Sequence, residues 1–160
     1  MRVNLTEVRI AAPGDATAIS LLLYESFAEY KTLYTDEGFT ATTPSSKQIL
    51  DRMDEGPIWV ALVGDAMVGT VSVVSKDKGL YIRGMAVLPA ARGKRIGQLL
   101  LSHIENYAVA HDVKRLFLST TPFLDHAIRL YQRFGFRRTD EGPHDLFGTS
   151  LFTMEKVLRV

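Results

Sequence analysis

The chain has 160 residues, with 19 lysines and arginines against 18 aspartates and glutamates, so its net charge is only +1. At 46% apolar and 23% charged it reads as globular, not disordered, and at this length one domain spanning residues 1–160 is expected. It has no cysteine, which excludes disulfides, thiolate metal sites and cysteine nucleophiles; no metal is expected. No apolar run approaches the roughly 20 residues of a membrane helix. Met1–Glu7 carries no signal-peptide hydrophobic region, so a cytoplasmic location without a membrane partner is the expectation. The near-neutral total conceals a division. Residues 1–79 hold 7 basic and 11 acidic groups, net −4, and residues 80–160 hold 12 and 7, net +5.

Thr6–Ile10 alternates as a first strand, with Val8 and Ile10 on one face. Pro13-Gly14 breaks it, and Asp15 offers an N-cap. Ile19, Leu22, Leu23, Ser26, Phe27 and Tyr30 then form one apolar stripe at helical spacing. Residues 31–43, rich in Thr, Gly and Asp, read as a loop, and Thr43-Pro44 as the start of a short helix carrying Ile49, Leu50 and Met53 inward. Ile58–Val63, Met67–Ser75 and Leu80–Val87 are strands joined by tight turns, an antiparallel meander. Gly97–His111 is an amphipathic helix and Arg115–Thr120 a strand. Thr121-Pro122 opens a last helix that Gly135 ends. Phe136–Arg138 and Leu151–Val157 close the chain around a polar loop, 139–149. The order implies a mixed α/β fold, a mostly antiparallel sheet with helices on both faces.

The stretch from Met85 to Leu101 is a strand, a loop with Arg92, Gly93, Lys94, Arg95 and Gly97, and then a helix. The first N–H groups of a helix lack intrahelical partners, and its dipole adds positive potential there. With glycines that admit a close ligand, this is a cradle for a phosphate or pyrophosphate. A plain glycine-rich turn with solvated cations fits the same spacing. The loop is neither G-x-x-x-x-G-K-[ST] nor G-x-G-x-x-G. Nucleic acid is not the expected partner: residues 80–115 carry only net +4, with no interleaved aromatics. A second feature is Tyr131, on the apolar face of the last helix three residues before Phe134-Gly135-Phe136. A buried tyrosine hydroxyl needs a partner, which a ligand could supply.

These two segments, in this order, resemble the GNAT superfamily of acetyl-CoA-dependent N-acetyltransferases. The family's pyrophosphate loop, Q/R-x-x-G-x-G/A, reads Arg92-Gly93-Lys94-Arg95-Ile96-Gly97 here. The resemblance implies that the fourth and fifth strands splay apart to admit pantetheine. Met85, Ala86 and Val87 would run beside that arm, and backbone N–H groups from Arg92 through Ile96 and Gly97 to Gln98 would hold the pyrophosphate. Tyr131 would lie at the thiol sulfur as general acid to the departing thiolate, and the amine would attack the thioester directly. A non-catalytic acyl-CoA-binding regulatory module on the same fold is the alternative, and a homodimer is common in the family.

Three positions depart from the family pattern. Arg95 stands where glycine is usual, Phe123-Leu124-Asp125 lack the frequent asparagine, and the fourth strand offers Arg83 but no acid. Glu25, Glu29, Asp36, Glu37, His144 and Asp145 are the remaining candidates for a base, and solvated surface charge is the competing reading of each. Phe27, Glu29, Tyr30, Tyr34 and His144 are the candidate acceptor-site residues, with Phe39 beside Tyr34 in the aromatic loop. If the acidic residues of the net −4 half line the acceptor side, they would attract a cationic amine.

Overall fold

In the computed structural model, residues 5–158 are described. The N-terminal half contains β1 (Thr6–Ile10), α1 (Ala16–Phe27), α2 (Asp36–Thr42), α3 (Ser46–Met53), β2 (Ile58–Val63) and β3 (Ala66–Lys76). There follow β4 (Gly79–Val87), α4 (Ile96–Ala110), β5 (Arg115–Thr120), α5 (Asp125–Phe134), β6 (Arg137–Arg138), β7 (His144–Leu146) and β8 (Thr149–Val157). The strands stand in the order β1-β2-β3-β4-β5-β8-β6, with β7 paired to β8. All pairings are antiparallel except that of β4 with β5.

β2 explains the layering, because successive side chains of a strand face opposite ways. Trp59 and Ala61 join a core with Leu100, Leu101 and Ile104 of α4. Ile58 and Val60 join a second core with Ile19, Leu22 and Leu23 of α1 and Ile49 of α3. Both faces are covered, so Ile-Trp-Val-Ala-Leu-Val is apolar throughout instead of alternating. The expected mixed sheet is therefore the one observed. No helix among the described residues is long and apolar enough to cross a membrane.

Several local expectations are corrected. Val8 packs on the α4 side, but Ile10, at the end of an edge strand, is exposed. Asp15 does not cap α1 with its side chain. Its carboxylate takes two hydrogen bonds from Arg9 (2.8 and 3.0 Å) and one from the Ala12 N–H, and these hold its pKa below the usual carboxylate range. Residues 31–43 are not all loop. Thr35 accepts a hydrogen bond from the Gly38 N–H and caps α2, whose first turn carries Asp36 and Glu37. The next helix is capped by Ser45, not Thr43. Ser45 and Gln48 form a reciprocal capping box, and Leu50 faces outward while Ile49 is buried. Thr121-Pro122 lies in a turn before α5, which begins at Asp125. That turn sets the Phe123 ring edge-on against Tyr34, 4.8 Å between centroids. Finally, β7 occupies part of the segment 139–149 that was expected to be loop.

Candidate active site

β4 and β5 pair only over Leu80–Ile82 with Leu116–Leu118, and beyond those three residues the strands part. A β-bulge stands where they separate. Thr70 faces Ala86 and Ser72 faces Arg83, so Gly84 and Met85 together oppose Val71. Bulges bend a strand and raise its twist. Gly84, at φ 59°, takes the left-handed conformation this one requires without a side-chain penalty. The gap opens into a cleft of about 760 Å³, within the range of small-molecule sites.

One end of the cleft is the start of α4. The first intrahelical bond there is from the Leu99 N–H to the Arg95 carbonyl, so the N–H groups of Ile96, Gly97 and Gln98 have no partner within the helix. Arg92, Gly93, Arg95, Ile96, Gly97 and Gln98 line the cleft, whereas Lys94 does not. Gly97 also permits close packing of α4 on α5: a Cβ there would stand 2.6 Å from a Leu130 methyl. Arg95 has φ 62° and ψ 21°, the left-handed region that side chains disfavour by about 1–2 kcal/mol. This is the physical reason that glycine is usual at that position. Arg95→Gly is therefore expected to raise the melting temperature by about 2 °C, since the strain relieved exceeds the added backbone entropy of glycine. The same substitution removes a cation from the cleft and should weaken acetyl-CoA binding several-fold. Thermal melts and calorimetric titration check the two effects separately.

Met85, Ala86 and Val87 line the adjoining wall along the free edge of β4. Across the gap, α5 presents Tyr131, which is buried, with its ring against Phe136. Burial, and secondarily the neighbouring Tyr34, push the Tyr131 phenol well above its ordinary pKa. Tyr34 lines the same cleft. Burial raises its pKa to about 12, although the adjacent Thr121 hydroxyl acts in the opposite direction. Both phenols thus stay protonated across the physiological range.

On the remaining side Phe27 and Tyr30 line the cleft. Other expectations fail here. His144 is not a lining residue; its Nε2 lies 3.0 Å from the Thr153 hydroxyl on β8. Phe39 packs into the interior against Tyr24 and Tyr34 instead of lining the cleft. Glu29 stays outside the lining and forms an ion pair with Arg92. Glu25, Asp36 and Glu37 are exposed and do not line it either. Among the described residues no carboxylate lines the cleft, so the acidic residues of that half are not an acidic wall to it; α1 and α2 turn apolar faces inward. The charged side chains that do line the cleft are cations: Arg92, Arg95 and Arg133, together with Arg52 of α3 and Arg83 of β4. Arg52 was missed because, in a short amphipathic helix, it carries no signal separating it from a solvated charge.

This arrangement has the parts an acyl-CoA requires. A free strand edge can pair with amide groups, a helix N-terminus flanked by arginines can hold a pyrophosphate, and a buried protonated phenol lies opposite the strand. The fold and cleft define an acyltransferase. Residues 21–136 match the model of the Acetyltransferase (GNAT) family, and the chain belongs to that family. It is 30% identical over 132 residues to the uncharacterized N-acetyltransferase YjgM of Escherichia coli, covering 79% of this chain and 78% of that one. It is 38% identical over 104 residues to the IAA acetyltransferase of Azospirillum brasilense, 62% of this chain and 66% of that one. Its fold superposes on the PaiA N-acetyltransferase of Thermoplasma acidophilum, solved in complex with coenzyme A, with a TM-score of 0.82 at 18% identity. That match covers 96% of this chain and 99% of the other.

Proposed function

We propose that the protein transfers an acetyl group from acetyl-CoA to a primary amine by direct attack, with Tyr131 serving the departing thiolate. The observation that carries this reading is the unpaired edge of β4, bounded at one end by the N-terminus of α4 and faced by Tyr131. Acetyl-CoA, when bound, supplies an acyl group activated as a thioester. The β4 backbone past Ile82 would align it, and the N–H groups of Ile96, Gly97 and Gln98 with Arg92 and Arg95 would hold its phosphates. A preorganised N–H of the β4 bulge would meet the negative charge that develops on the carbonyl oxygen. Tyr131 would donate to the sulfur as the bond to the acyl carbon breaks. A thiol ordinarily titrates near pH 8.5 and this phenol far higher, so Tyr131 acts first as a hydrogen-bond donor and transfers its proton only uphill.

Calorimetric titration with acetyl-CoA, followed by CoA release across an amine panel, tests the reading directly. Micromolar binding with amine-dependent release is expected; binding with no release from any amine would leave only a carrier or sensor. No carboxylate lines the cleft among the described residues, so the acceptor is expected to enter as the free amine. The ascending limb of kcat/KM with pH should then follow the acceptor's own pKa. Two acceptors of different basicity should give limbs displaced by that difference; coincident limbs would point instead to a base on the enzyme.

A further inference from the structure

Arg52 and Arg83 meet beside the β4 bulge. A Cβ built on Gly84 would lie 3.2 Å from an Arg52 Nη, so the Arg52 guanidinium rests against the bulge backbone. Arg83 forms an ion pair with Glu55, yet its Nε is buried without a hydrogen-bond partner. Arg52 has no ion pair among the described residues, and burial together with the like charge of Arg83 lowers its pKa. Two guanidiniums thus stand at the wall of the cleft, and one carboxylate, Glu55, pairs with Arg83 alone. An uncompensated, partly desolvated charge is costly, and proteins keep one where something pairs with it. The phosphates of CoA are poorly placed to do so. The anion cradle starts at Arg92, past the far end of β4, and the four residues from Arg83 to Val87 alone span about 13 Å of strand.

We infer that Arg52 and Arg83 bind a carboxylate on the acceptor, so that the substrate is a small amino acid or other amino-carboxylate instead of a polyamine. The inference rests on the acetyltransferase reading and narrows its acceptor. Arg is suited to this role because its planar fork meets a carboxylate through two parallel hydrogen bonds. The bulge beside it is where the acyl carbonyl would be held. A carboxylate on Arg52 would therefore place an amine one or two carbons away near the thioester. Phe27 and Tyr30 would enclose the rest of the molecule, and the absence of a lining carboxylate disfavours a polycation.

The test compares each of a set of amino acids with its own carboxamide, which retains the amine and loses the negative charge. Wild-type protein should use the better acids about 100-fold more efficiently in kcat/KM than their amides, and Arg52→Gln should erase most of that preference. The Kd of acetyl-CoA should change less than about twofold in Arg52→Gln, and Arg52→Lys should recover part of the discrimination. Equal use of acids and amides, or preferred use of spermidine, would overturn the inference. Calorimetric binding of the corresponding N-acetylated amino acids, with and without CoA, gives a readout that needs no turnover. If these bind in an Arg52-dependent manner while no amine releases CoA, the carboxylate site stands and the acetyltransferase reading falls. If amines turn over but neither binding nor rate depends on Arg52, the reverse holds.

Discussion

Tyr131→Phe is expected to lower kcat about 100-fold while leaving acetyl-CoA affinity within about threefold, the lower end of what a proton donor contributes. Phenylalanine keeps the ring that packs on Phe136, so the fold and the cleft wall should survive, and only the proposed donor to sulfur would be lost. The raised pKa of Tyr131 has a direction that can be tested. The protonated form is the useful one, and burial holds it protonated beyond pH 10, so wild-type kcat should show no decline attributable to this group below pH 10. The same burial contributes stability that is fully present below the unfolded pKa of about 10 and is lost as pH rises above it. Tyr34, also phenolic and in the same cleft, is the control. Tyr34→Phe is expected to reduce kcat less than tenfold. If Tyr131→Phe retained full turnover while Tyr34→Phe lost it, the donor would be the wrong tyrosine.

The largest loss of stability is expected at a position that does not line the cleft. Gly56 lies between α3 and β2, and a Cβ on it would stand 2.2 Å from the carbonyl oxygen of Val73. That oxygen belongs to the central strand β3 and cannot rotate away as the end of a side chain can. Gly56→Ala should therefore cost about 3 kcal/mol, lowering the melting temperature by roughly 6–12 °C in a domain of this size. Gly14→Ala is the matched control, because a Cβ there meets nothing within 4 Å; it should be neutral or slightly stabilising. Equal melting temperatures for the two variants would mean that β3 yields more readily than a central strand should. Gly56 directly follows Glu55, the partner of Arg83, so Gly56→Ala should also disturb acceptor use more than acetyl-CoA binding.

The parts of the fold that can be read from the chain are those in which one local pattern has one solution. Ile58–Val63 is too short and too continuously apolar for an amphipathic helix, and Ile96, Leu100 and Ile104 fall on one face of a long one. The loop before α4 stands out in the sequence because glycine, cations and a helix start occur together. α2 was not, because its seven residues are rich in Thr and Gly, and its cap bonds reach Phe147 and Thr149 more than 100 residues away. The facing of the acidic residues was not legible either, for a related reason. α1 and α2 carry Glu25, Asp36 and Glu37, but only tertiary packing decides which face looks into the cleft. Arg52, one cation on a short helix, became informative only once β4 lay beneath it.

The brevity of the β4–β5 ladder has a consequence for how the molecule should respond to its substrate. Three residue pairs are all that join the meander to β5 and β8 across the middle of the sheet, so the sheet resembles two leaves stitched along a short spine. A ligand whose amides bond to the open edge of β4 would act as the missing length of strand, completing a ladder the chain leaves unfinished. Its binding would then register as added sheet. Amide hydrogens of Gly84–Val87 should exchange more slowly by the binding free energy, and the protection should be greatest at the amides that face the gap.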